Sequence, residues 1–281
     1  MNYYPFLILL GAILWGTTGT SQTFLSSAMP PLVVATFRMI IGGSFLFFTS
    51  FLEKKSTFKN LVNKKSIFIS SICISIYQPF FFIGVSRLGV ALGTILAISS
   101  APIFTGIINK IFKVKLSKQW VLATLISILG CIFIFYNNNQ TQTDILGIIC
   151  ALSAGFSYAL FVINSKKAYA NNSRIKTNGI IFFFGAICLS PILLIYRNDF
   201  VITSNEIIPL LYLGIIATSL AYTLFALGIK KTSAAKTVTY TLAEPLSASL
   251  LGILFLHEAY TINTIIGIIL IFTGLIINSK K

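Results

Sequence analysis

The sequence predicts an all-α polytopic membrane protein of ten transmembrane helices, built as two inverted five-helix repeats with both termini inside. Three observations predict it: an oily composition, apolar runs of membrane-crossing length, and basic residues confined to alternate connections. Of 281 residues, 56% are hydrophobic and 10% charged, and the mean hydropathy is +0.90. Soluble domains average roughly 45–50% apolar and about 25% charged. A single soluble domain and a disordered chain are therefore both excluded.

A hydrocarbon core roughly 30 Å thick takes about 20 apolar residues in a helix. Apolar runs between charge clusters give spans at 5–25, 32–52, 66–86, 89–109, 119–136, 145–164, 178–196, 208–229, 236–256 and 262–279. The connections are too short for a soluble domain. Barrel strands would alternate apolar and polar residues over about ten positions; Ile145 to Leu152 and Ile265 to Ile277 do not. No basic side chain precedes the first run, so span 1 is expected to be retained rather than cleaved as a signal peptide.

The net charge of +15 comes from 21 Lys+Arg against 6 Asp+Glu. On a soluble chain that balance would suggest nucleic acid, but here the basic residues are spaced by long apolar runs. No nucleic-acid partner is expected. With the N-terminus inside, the inner segments collect five lysines in 53–65, four in 110–118, and Lys166, Lys167, Arg174 and Lys176. Lys230, Lys231, Lys236, Lys280 and Lys281 complete eighteen of the 21. The outer segments hold Arg87 and Arg197 beside Asp144, Asp199, Glu206 and Glu258. Short cytoplasmic loops are enriched in Lys and Arg, so the charge is an orientation signal.

Cys73, Cys131, Cys150 and Cys188 lie in apolar stretches without CxxC spacing, and are expected to be buried thiols rather than a disulfide framework or a zinc site. One histidine, His257, excludes multi-histidine metal sites. No cofactor is expected. His257 and Glu258, at the outer end of span 9, read as a surface anchor ahead of a proton relay.

Sliding the sequence on itself by 143 positions brings Trp15 onto Tyr158, Ala91 onto Ala234, Thr94 onto Thr237, Pro102 onto Pro245 and Phe112 onto Phe255. The halves 1–143 and 144–281 hold five spans each. An odd number turns the second half upside down, an inverted-topology repeat common among secondary transporters. Two such halves can exchange conformations around one central site.

"LLGAILWGTTGTSQTFLSS", "PPLVVATFRMIIGGSFLFF" and "GVALGTILAISSAPIFTGIINKIF" resemble the first half of an EamA-type carrier of the drug/metabolite transporter superfamily. "ICALSAGFSYALF" and "GIIATSLAYTLFALGIKKTSAAKTVTYTLAEPLSASLLGILFLHEAYT" resemble its second half. The similarity covers nearly the whole chain and includes the Trp-Gly of span 1, the Arg of span 2 and the Glu-Pro of span 9. "KVKLS" after span 4 departs from the family, which often has an acid before the Leu-Ser. The resemblance implies export of amino acids, amines or assorted metabolites and drugs across the bacterial cytoplasmic membrane, with a multidrug or organic-cation exporter as the alternative.

Glu244 is the one acid inside a span, about 12 Å from the inner edge at 1.5 Å per residue. An intramembrane carboxylate costs on the order of a few kcal/mol and is a functional candidate. Pro245 lacks the N–H of the helical ladder, which is expected to free carbonyls around Thr241 to face a cavity. Thr237, Tyr240, Thr241 and Glu244 share one side of span 9. Cation or ammonium binding and H+ coupling are the functional readings; a carboxyl locking helices through hydroxyls is the structural one. Arg38, about six residues from the outer edge of span 2, could neutralise a substrate carboxylate or pair with Glu244, but the two depths differ by roughly 10 Å and its own favours snorkelling to the interface. Trp15, Thr18 and Gln22 share a face of span 1. Tyr77 and Gln78 precede Pro79, Ser99 and Ser100 precede Pro102, and Ser157, Tyr158, Phe161 and Tyr222 complete a set looking toward the centre. Rings, hydroxyls and one carboxylate suit an organic solute with an amino group and an apolar part. The pairs Gly89/Gly93, Ala151/Gly155 and Ala248/Gly252 read as close helix packing.

No GxxxxGK[ST] pattern is present, so an ion gradient, exchange or the solute's own gradient must drive the carrier. A polytopic membrane enzyme would need clustered acids or a His/Asp pair, and a channel a filter of carbonyls or charges; neither pattern is evident. Ten helices make one complete translocation unit, so a functional monomer in the lipid bilayer is expected.

Overall fold

Runs of some twenty apolar residues have one economical way to satisfy their backbone in lipid, which is the helix. The computed structural model describes residues 3–25, 29–52, 61–135, 144–170, 172–255, 257 and 261–280, and contains no strand among them. The helices are α1 (Tyr4–Gln22), α2 (Pro31–Thr49), α3 (Lys64–Ile111), α4 (Lys118–Phe135), α5 (Ile145–Tyr169) and α6 (Arg174–Leu189). They continue as α7 (Pro191–Ile195), α8 (Ser204–Gly214), α9 (Ala221–Gly228), α10 (Ala234–Tyr240), α11 (Ala243–Phe255) and α12 (Ile262–Ser279). Glu53, Lys54, Lys55, Lys59, Glu258 and Lys281 lie outside the described residues.

Among the described residues, eight stretches are long and apolar enough to cross a membrane: Pro31–Leu52, Lys64–Gly89, Leu92–Ile111, Ile145–Tyr169, Arg174–Ile195, Ser204–Gly228, Ala234–Phe255 and Ile262–Ser279. Lys118–Ile134 is a shorter apolar helix. α1 spans 19 residues, but its second half reads Gly-Thr-Thr-Gly-Thr-Ser-Gln. The exterior is oily, with Phe6, Phe48, Ile103, Leu194, Ile208 and Phe272 all exposed. Polar side chains such as Ser71, Gln78, Thr105, Thr124 and Asn278 are buried. This inside-out distribution suits a lipid solvent. Cys73, Cys131 and Cys150 are buried as expected, whereas Cys188 is exposed on α6, beside the equally exposed Ile187.

Local breaks in the helices have identifiable causes. Gly89, at φ 81° and ψ 160°, divides α3 into two arms; that backbone region is essentially open to glycine alone. No atom lies near where a Cβ on Gly89 would sit, so this residue makes the chain reversal and is not the packing glycine its spacing suggested. Beside the reversal the arms pinch together, a Cβ on Gly93 falling 2.6 Å from Val85 Cα. Both arms flank α5, with Gly84 against Ala151 and Gly155 against Ala97 and Ser100. α8 and α9 are joined by a π-helical turn, Ile215–Leu220. There the Thr218 and Ser219 hydroxyls donate to carbonyls five residues back, Leu213 at 2.8 Å and Gly214 at 3.2 Å.

α10 and α11 are separated at Thr241 and Leu242, one turn before Pro245. The proline cannot donate to the Thr241 carbonyl and its ring crowds that residue. The expected free carbonyl is not found, because the Glu244 N–H donates to Thr241 O at 3.0 Å. The proline therefore restarts the helix and puts Glu244 in the first turn of α11. At that end the unpaired amides carry partial positive charge.

The ends of the bundle differ in charge. At one end Asn63 Nδ2 donates to the Lys167 carbonyl, the Lys166 ammonium to the Thr232 carbonyl, and the Lys236 ammonium to the Lys280 carbonyl. At the Gly89 end, Arg87 pairs with Asp144 at 2.9 Å, and the Asp144 carboxylate caps α5 through Leu146 and Gly147. Glu206 is buried, since it closes a capping box with Thr203.

Candidate functional site

A cavity of about 260 Å³ lies within the bundle, lined by α1, α2, both arms of α3, α5, α9 and the α10–α11 junction. Drug-sized ligands occupy pockets of roughly 300–1,000 Å³, so this space suits a smaller solute. Trp15, Thr18, Gly19 and Gln22 enter from α1, Arg38 from α2, and Tyr77, Gln78, Phe81 and Phe82 from the first arm of α3. Tyr158 enters from α5, Tyr222 from α9, and Thr241, Glu244 and Pro245 from the junction.

Of the sequence-predicted residues, Glu244, Trp15, Gln22, Tyr77, Gln78, Tyr158, Tyr222 and Arg38 are brought to this one space. Tyr240 and Ser100 are not. Tyr240 is fully buried in the apolar core, because the break at Thr241 ends the shared face one residue after it. Ser100 is turned against Gly155 of α5 and donates to the Ala97 carbonyl at 3.2 Å.

Arg38 corrects the snorkelling expectation. It is 8% exposed and faces inward, its Nε donating to Thr218 Oγ1 at 3.1 Å. A buried guanidinium needs acceptors, and the π-helical turn supplies one by pushing Thr218 out of the regular ladder. α2 comes close enough because Gly42 and Gly214 face each other, a Cβ on Gly42 falling 2.7 Å from Gly214 O. Thr218 was missed by sequence reasoning. A π-helical turn leaves no pattern in the sequence, although such turns are frequent at functional sites.

The walls are aromatic. Tyr222 lies 4.6 Å from Trp15 and 4.3 Å from Phe182 between ring centroids. Tyr158 bridges Tyr77 at 5.4 Å and Phe161 at 5.9 Å. Beyond these rings, toward the Lys-rich end, Phe161, Tyr169, Phe182, Phe225 and Tyr240 are fully buried. Gln22, Arg38, Val85 and Thr94 lie toward the Gly89 end of their helices. The cavity therefore occupies the Gly89 half of the bundle, above a packed aromatic floor. Beside it, the Trp15 indole N–H and the Thr18 hydroxyl have no hydrogen-bond partner among the described residues. Glu244 is the one acid lining the cavity, and no cluster of metal-ligating side chains occurs among the described residues.

The EamA-like transporter family model matches the sequence twice, over residues 2–136 and 145–280. The chain belongs to the EamA-like transporter family. With that family it falls in the drug/metabolite transporter superfamily. An uncharacterized transporter of Bacillus subtilis (strain 168), YwfM, is 35% identical over 99% of this chain and 94% of its own. An uncharacterized transporter of Clostridium kluyveri is 29% identical over 96% and 91%. YicL, an uncharacterized inner membrane transporter of Salmonella typhimurium, is 24% identical over 97% and 93%. A protein crystal structure at 14% identity superposes with a TM-score of 0.85 over 98% of this chain and 96% of that one, which shows a shared fold. The EamA-like chain is thus a multi-pass membrane transporter, and its relatives point to transport rather than enzymatic turnover.

In this EamA-like chain the first arm of α3 contributes more of the wall than its sequence suggested. Phe81, Phe82 and Val85 all line the cavity. The signal available was their helical spacing, since Phe81 and Val85 follow Tyr77 at intervals of four residues.

Proposed function

We propose that the chain is a ten-span secondary transporter of small amphipathic metabolites, amino acids, amines or related compounds, working by alternating access around Glu244. The halves 1–143 and 144–281 are inverted repeats with both termini in the cytoplasm of a bacterial cell, and the direction is export. The repeat reading is supported by how the halves interlock: α1 packs on α9 and α11, while α5 packs on the two arms of α3. α2 pairs with α6 and α4 with α12, each helix meeting its counterpart in the other half. In this orientation the cavity faces outward and the aromatic floor is the closed inner gate.

The observation that carries the function is one small cavity shared by a carboxylate, Glu244, and a guanidinium, Arg38, between Trp15, Tyr77, Tyr158 and Tyr222. An ammonium fits Glu244 and the ring faces, a carboxylate fits Arg38, and an apolar part fits the rings. Glu244 is also the group that H+ would load and leave. Having no second acid to share its charge with, it binds either a cation or a proton, which couples the two in antiport. The organic-cation reading is favoured by the Thr218 bond, which already satisfies part of Arg38.

Purified protein in proteoliposomes, tested for counterflow of labelled amino acids and amines, checks both readings. Saturable exchange abolished by Glu244→Gln is expected, and normal flux by that variant across a range of pH would overturn the site. Arg38→Gln separates the substrates: loss of amino-acid exchange with amine exchange retained supports a zwitterion, and equal retention of both supports the cation exporter.

A further inference from the structure

A second cavity, of about 540 Å³, opens at the Lys-rich end of the bundle. It is formed where α3 and α5 end and α4 and α10 begin, and none of its lining residues is acidic. Lys115, Lys166, Lys167 and Lys236 converge on it from three different segments. Their local partners are sparse and neutral. Lys166 donates to the Thr232 carbonyl, Lys236 to the Lys280 carbonyl at 2.9 Å, and Lys167 lies 5.4 Å from the Phe112 ring centroid. An ammonium has three donors, so most of this donor capacity is unspent.

Two serines extend it. Ser117 Oγ accepts the Trp120 N–H at 3.1 Å and Ser233 Oγ accepts the Lys236 N–H at 3.2 Å. Each hydroxyl keeps its own O–H free to donate. Apart from Asn109, the remaining wall is apolar, with Val114, Leu116 and Ile163 prominent. Four like charges around one space repel one another unless an anion sits among them. A phosphate, with several acceptor oxygens and at least one negative charge, matches that donor set. An apolar wall beside it matches an acyl chain.

We propose that this cavity binds an anionic phosphate group through Lys115, Lys166, Lys167 and Lys236, at a site separate from the Glu244 cavity. Two sources present that chemistry, the headgroup of an anionic phospholipid and free phosphate. The site stabilises the junction of both halves, since its lysines come from 110–118, the end of α5 and the start of α10. It does not depend on the transport reading.

The test uses the full-length protein in a neutral detergent, with Tm followed while dioleoyl-phosphatidylglycerol, dioleoyl-phosphatidylcholine or inorganic phosphate is titrated at constant ionic strength. A saturable rise in Tm with phosphatidylglycerol and not phosphatidylcholine is expected. Phosphatidylglycerol alone identifies a lipid site; an equal response to inorganic phosphate identifies a free anion. The double variant Lys115→Gln/Lys167→Gln removes two exposed lysines and should weaken the midpoint on the order of tenfold or more. Lys115→Arg/Lys167→Arg should keep the response. Lys64→Gln/Lys65→Gln, which removes two charges outside the cavity, should leave it unchanged. No response to either anion, or equal weakening by the two glutamine pairs, would overturn the site.

Discussion

Two glycines on one helix face make a sharp test of the packing that positions Glu244. A Cβ built on Gly16 of α1 falls 1.9 Å from Ser247 Oγ, 2.8 Å from Glu244 O and 2.9 Å from Ala248 N. The serine can rotate away, at the loss of its bonds to Ile13 O at 3.4 Å and Glu244 O at 2.9 Å. The backbone atoms cannot. Restoring ordinary contact at about 3.4 Å requires α11 to move back by roughly half an ångström or more, which for overpacking of this kind costs about 1–3 kcal/mol. In a chain of this size that is a fall in Tm of roughly 2–12 °C, at about 2–4 °C per kcal/mol. Three residues on, a Cβ on Gly19 meets nothing within 4 Å. Gly19→Ala gains roughly 0.5–1 kcal/mol from helix propensity and raises Tm. Unfolding monitored with a thiol-reactive dye suits both variants, because Cys73, Cys131 and Cys150 are buried while Cys188 supplies the baseline. Equal Tm shifts for Gly16→Ala and Gly19→Ala would refute the argument that α1 and α11 touch at Gly16.

Thr218→Val keeps the side-chain shape but removes the acceptor for Arg38 Nε, costing about 1–3 kcal/mol for a buried donor left unpaired; Thr218→Ser restores it, and calorimetric Tm values for the two should differ accordingly. At the other end of the energy scale, the hydrogen bond from Arg87 holds the Asp144 carboxyl below the usual carboxylate range, helped by the amides of Gly147 and Leu146. Because folding lowers that value, the stabilisation is complete above the unfolded value of about 3.9 and is lost as pH falls through the folded one. Asp144→Ala should therefore lower Tm near pH 7, with the gap to the parent protein closing as the medium is acidified below about pH 4; a gap independent of pH would show that the carboxylate charge is not involved.

The chain's long apolar runs made the helical membrane class legible, because an apolar helix of the right length has nowhere else to go. The segregation of lysines was legible for the same reason, charge being excluded from the hydrocarbon core. Glu244 stood out as an acid inside a span, and the proline beside it was legible as a residue without the N–H of the helical ladder. Trp15, Tyr77, Tyr158 and Tyr222 were legible as candidates but not as neighbours. Their convergence depends on how α1, α3, α5 and α9 cross, and an isolated ring in an apolar run looks like any other packing residue. Arg38 misled because depth along a helix says nothing about which way the side chain faces. Its direction is set by Thr218, 180 positions away in the sequence.

The sequence by itself determined the solvent this protein lives in and that Glu244 is an acid inside an apolar span. Both follow from local transfer energies, read one segment at a time. Only the tertiary structure decided that Glu244 and Arg38 share a cavity, that the Thr241 carbonyl is taken by the Glu244 amide, and that Tyr240 and Ser100 turn elsewhere. Those outcomes depend on helix crossings, on a π-helical turn and on a glycine reversal. The helix crossings are contests between long-range contacts that no single segment encodes, and a π-helical turn leaves no pattern in the sequence.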